Sequence, residues 1–213
     1  MSLTFEFFGF LSWVWLQWLL FFILVAAYLF LIIGSLDLKK KDFKSTTLLF
    51  VAGLLLLIWV IVYNFFFPTV SGVTPTDMER LLGFLYSLFF MSGLINGLFH
   101  VILGIGFMNL GKNNRDPGGI VAMIGGILYL VAWIVNLVLS TLSKLNGWYG
   151  LTLLGPIVFF LNILSWVINF VVLGAAVLIL VYSFLTKRPL FIIFALLFFA
   201  AYLLQILSLL GFI

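Results

Sequence analysis

The chain is predicted to be all-α, a polytopic integral membrane protein with six transmembrane helices arranged as three hairpins. Three observations predict this. Of 213 residues, 66% are apolar and 8% charged, with a mean hydropathy of +1.38, whereas soluble domains carry about 25% charged residues. Six apolar runs reach the length of about 20 residues that a helix needs to cross a hydrocarbon core of ~30 Å. The basic residues crowd into alternate loops. Water cannot solvate a fold made from this chain, which excludes a soluble enzyme, a nucleic-acid-binding domain and a disordered tail.

The runs cover approximately 8–35, 46–67, 81–110, 120–142, 155–185 and 190–212 of one transmembrane domain, 1–213. They do not alternate as barrel strands would, and open strands leave backbone groups unsatisfied in lipid. The first run has no basic residue up to Leu36 and is too long for a signal-peptide core, so it reads as a retained helix. Ser45 and Thr46 are candidate N-caps for the second, and Pro68 is expected to stop it. Thr76-Asp77-Met78-Glu79 reads as a capping box before the third. Asp116-Pro117 supplies a cap and a first-turn proline for the fourth, which is expected to end before a turn at Asn146-Gly147. Gly155-Pro156 and Arg188-Pro189 open the fifth and sixth. The first, third and fifth runs exceed one crossing, so they tilt or project.

Charge placement gives an expected orientation. Lys39, Lys40, Lys41, Lys44, Lys112, Arg115, Lys187 and Arg188 fall in the first, third and fifth loops, against Arg80 and Lys144 in the second and fourth. The positive-inside rule then puts the odd loops in the cytoplasm and both termini outside the cell membrane. Trp13, Trp15, Trp18, Trp59 and Trp166 fall toward the outer side, and Trp133 nearer the middle. Lys39, Lys40, Lys41 and Lys44 are expected to act as a topology anchor; the alternative is a contact for anionic lipid headgroups or an acidic partner.

His100 is the single histidine and the one titratable group expected near mid-bilayer, which makes it a functional candidate. Asn96 shares its helical face, with Gly93, Gly97 and Gly104 alongside. The fourth helix carries Ala122, Gly125, Tyr129, Trp133, Asn136 and Ser140 at spacings of three or four, with Gly118, Ala122 and Gly126 beside them. The fifth carries Asn162, Ser165 and Asn169. Small residues let membrane helices approach closely, and asparagines hydrogen-bond across the contact. Helices three to five are therefore expected to form the packed centre, and one, two and six to face lipid or partners. Asn96, His100, Asn136, Asn162, Ser165 and Asn169 form the candidate polar cluster, read either as interhelical glue or as the lining of a cavity.

What is missing narrows the chemistry. No Asp, Glu, Lys or Arg lies deep in an apolar run, and there is no cysteine. Thiolate chemistry and a retinal lysine are excluded, and charged proton or sodium relays have no residues to use. No catalytic or phosphate-binding motif occurs. A bis-histidine haem would need a second histidine. No cofactor, metal site or enzymatic activity is expected.

Ile102-Leu103-Gly104-Ile105-Gly106-Phe107-Met108-Asn109-Leu110-Gly111, then a short polar turn and a second glycine-rich helix, resembles small multispan membrane proteins of unknown function common in archaea. The resemblance covers one hairpin and implies no activity. The leading expectation is a non-catalytic accessory or structural subunit of a larger membrane complex, working with other membrane subunits or with further copies of itself in the lipid bilayer. The alternatives are a small-solute transporter or membrane-embedded substrate-binding subunit, and a cofactor-binding subunit using His100.

Overall fold

The computed structural model describes residues 3–40, 45–70, 78–114, 117–149 and 155–210. Every regular element among them is a helix. They are α1 (Leu3–Lys40), α2 (Thr47–Val70), α3 (Met78–Asn113), α4 (Pro117–Tyr149), α5 (Gly155–Thr186) and α6 (Pro189–Leu209). Each contains a stretch long and apolar enough to cross a membrane, so the chain is a six-helix, multi-pass membrane protein. At 1.5 Å per residue the 38 residues of α1 extend about 57 Å, well beyond one hydrocarbon core.

Local chemistry accounts for several boundaries. Thr46 precedes α2, and its carbonyl accepts the Phe50 N–H at 3.1 Å. Pro117 opens α4 and Pro189 opens α6, positions where a missing N–H costs nothing. The α5–α6 turn places Lys187 at φ 53, the left-handed conformation that ends helices.

Two expected stops are not stops. α2 runs through Pro68 to Val70, because a proline in a last turn removes only one bond. α4 runs through Asn146-Gly147 to Tyr149. Continuing the helix satisfies backbone groups that a turn would expose near lipid. The expected capping box at Thr76 and Asp77 lies outside the described residues.

Each helix packs on its neighbours in sequence, and α1 packs on α6. The result is a closed six-membered ring of antiparallel neighbours. Gly34 of α1 faces the backbone of Phe191 on α6, and Gly118 of α4 faces Tyr182 and Leu185 of α5. Asn113 at the end of α3 donates to the Ser45 hydroxyl before α2, and Ser45 itself sits at φ 68. The turns following α1, α3 and α5 therefore share one end of the ring, and that end carries Lys39, Lys40, Lys112, Lys187 and Arg188.

The α3–α4 seam is the tightest. A Cβ on Gly111 would strike the Gly119 carbonyl and the Met123 backbone, and one on Gly126 would strike Met108 N and Phe107 C. Only hydrogen fits there, as expected where membrane helices cross closely. α4 turns a second small face to α5, with Gly125 against Leu178 and the Ala175 carbonyl.

The expected division into an inner trio and three lipid-facing helices is corrected. α6 supplies Phe191, Phe194, Ala195 and Phe198, all fully buried, and α1 supplies Tyr28 and Leu31. Phe107 of α3 lies 6.1 Å from Phe191 and from Phe194, and Phe194 lies 5.3 Å from Phe198. Tyr182 of α5 meets Phe191 edge-on at 6.1 Å. The centre of the ring is thus an aromatic ladder mounted on α6. In lipid both sides of a helix are apolar, so hydropathy alone does not tell the inner face from the outer.

Candidate functional site

The polar centre of the molecule is assembled from three helices. α3 contributes His100, which is buried. α4 contributes Tyr129 and Trp133, one helical turn apart on the same face. α6 contributes Tyr202, which continues the Phe191, Phe194, Phe198 spacing by a further turn.

Tyr129 Oη lies 2.6 Å from His100 Nδ1 and 2.8 Å from Tyr202 Oη. The Trp133 indole stacks on the imidazole, with centroids 3.9 Å apart and planes 9° apart. Phe198 meets Tyr202 edge-on at 4.9 Å and lies tilted against Tyr129 at 5.7 Å, so the polar chain rests on the top of the aromatic ladder. Tyr28 of α1 is buried and within electrostatic reach of both phenols.

Tyr129 has one proton to give and faces two partners, which allows two proton orders. In one, Tyr202 donates to Tyr129, which donates to Nδ1 of an imidazole protonated at Nε2. In the other, Nδ1–H donates to Tyr129, which donates to Tyr202. Both leave every member neutral, as burial away from water favours. The chain therefore ties α3, α4 and α6 together without a buried charge. The Trp133 Nε1–H lies beside the two phenols but makes no hydrogen bond of acceptable geometry, and it is buried.

The expected cluster is thus assembled differently. His100 is at its centre, but its partners are aromatic hydroxyls. Asn96, Asn136, Ser165 and Asn169 are half-buried and none of them is joined to His100. The side chain of Asn162 lies outside the described residues. Tyr129 stood in the α4 stripe read from sequence. Tyr202 was missed, although its spacing of 4 from Phe198 and 8 from Phe194 places it on the aromatic face of α6.

Lys39 and Lys40 are exposed, while Lys41 and Lys44 lie outside the described residues. Among the described residues no group of three His, Cys, Asp or Glu side chains converges as a metal site would require. In comparisons with protein-family models, curated proteins and solved structures, nothing matches this chain.

Proposed function

We propose that the chain is a non-catalytic structural subunit of a larger assembly in the cell membrane, with the basic end cytoplasmic and both termini outside. The observation that carries this reading is the filled interior. Phe107, Tyr182, Phe191, Phe194 and Phe198 are each fully buried and in contact along the axis of the ring, so the described interior holds side chains where a solute path would run. The interior hydrogen-bond chain joins α3, α4 and α6 through Tyr129 and acts as a pin. What the molecule offers outward is a broad apolar surface for lipid and for neighbouring membrane helices. The orientation rests on the basic end and the positive-inside rule.

Native purification in mild detergent followed by native mass spectrometry tests this. The expected result is co-purification with other membrane polypeptides at fixed stoichiometry. A bare monomer from its native membrane contradicts it.

A second reading, a small-solute binding or transport protein, is favoured by one observation. His100 bonds through Nδ1, and Trp133 presents a buried indole N–H with no hydrogen-bond partner, beside Tyr129 and Tyr202. On that reading a water-reachable cavity opens beside them. A cysteine placed at Asn169 or Asn136 would then react with aqueous thiol reagents.

A further inference from the structure

The α1–α6 seam, where the first and last helices close the ring, pairs an apolar outer face with a basic rim. On α1, Leu29, Ile33 and Leu36 are exposed, and Lys40 continues the same stripe at the next turn, also exposed. On α6, Ile193 and Leu196 are exposed. The helices are in register with Gly34 level with Phe191, where a Cβ would lie 3.4 Å from the Phe191 Cα. Lys40 lies six residues beyond Gly34, about 9 Å along the axis, and Arg188 lies three residues before Phe191, about 4.5 Å. Both therefore emerge at the same end, beside Lys187, which is exposed.

Arg188 is half-buried, and its Nε is enclosed without a hydrogen-bond partner. Asp37 is the one acid described at this end, and no ion pair joins it to Arg188. The guanidinium is thus held at the rim of the helix pair, its Nε without a hydrogen-bond partner and no ion pair joining it to an acid among the described residues. This rim lies where apolar helix gives way to charge, the depth of lipid phosphates. We propose that the seam binds an anionic phospholipid, with its acyl chains along Ile33, Leu36, Ile193 and Leu196 and its phosphate among Lys40, Lys187 and Arg188. Guanidinium is suited to phosphate oxygens, and the neighbouring lysines favour a headgroup with net negative charge.

The test is lipid retention by the full chain in detergent, read by native mass spectrometry with phosphatidylglycerol and phosphatidylcholine of identical chains. The wild type is expected to retain phosphatidylglycerol at least about tenfold better. Each basic residue removed weakens retention about fivefold, so the double variant Lys40→Gln/Lys187→Gln loses about 25-fold for phosphatidylglycerol and little for phosphatidylcholine. Arg188→Gln extends the loss, and the double variant keeps the test valid if that substitution disturbs the turn. Lys112→Gln, at the end of α3, stays within about twofold of wild type. Equal retention of the two lipids by the wild type overturns the proposal, as does a double variant that holds phosphatidylglycerol like the wild type. Full competition by inorganic phosphate also overturns it, since the site would then recognise the free anion.

Discussion

Along the α3–α4 seam the backbones touch, while between α6 and the same two helices large rings fill a wide gap. Gly111 and Gly126 leave no room for a methyl group, whereas Phe191, Phe194 and Phe198 occupy the centre of the ring. Both contacts serve the same end. A hydrocarbon side chain gains little by exchanging lipid for protein, so helix association depends on packing and on hydrogen bonds. The glycine seam obtains packing by bringing main chains close. The α6 contact obtains it by matching bulky shapes, and adds the Tyr202–Tyr129–His100 chain where the aromatic ladder ends.

Substitutions measured in one assay, unfolding by sodium dodecyl sulfate in mixed micelles, separate the two kinds of contact. The largest effect is expected at the seam. Gly126→Ala drives a methyl group into the Met108 and Phe107 backbone, which cannot swing aside, and costs about 3 kcal/mol. Phe194→Ala comes next, at about 2 kcal/mol. That is below the 3–5 kcal/mol of soluble cores, because the transfer from water is missing. Tyr129→Phe keeps the ring and deletes both hydrogen bonds, for about 1 kcal/mol. Gly174→Ala is the matched control for the first. A Cβ there meets nothing within 4 Å, so the helix gains about 0.5 kcal/mol from better propensity. A neutral Gly126→Ala would show that the α3–α4 contact does not depend on close backbone approach. A Gly174→Ala as costly as Gly126→Ala would show that glycine position is irrelevant.

How much of this was legible in the sequence follows from what lipid hides. The six spans were legible because length and hydropathy are what a bilayer demands. The α3–α4 seam was legible through the small residues of α4 and through Gly97 and Gly104. His100 stood out as the lone titratable group among apolar neighbours. Its partners did not, because tyrosine is common in apolar helices and nothing local marks which phenol points inward. The role of α6 was hidden for the same reason: a helix of Leu, Ile, Phe and Ala has no polar face to mark its outside. The trace that existed was shape, in the aromatic run Phe191, Phe194, Phe198 and Tyr202. Asn146-Gly147 misled because turn propensity gives way where an interrupted helix would leave backbone groups unpaired.

The chain contains no cysteine, so single cysteines report access without background. Ala195 on α6 is fully buried and small enough to replace by cysteine, while Lys40 is exposed at the basic end. The filled interior predicts that Ala195→Cys in native membranes does not react with a water-soluble thiol reagent added from either side, under conditions that label Lys40→Cys to completion. Labelling of Ala195→Cys at a rate comparable to Lys40→Cys would mean that water reaches the described core of the ring, and would contradict the filled interior on which the proposed function rests.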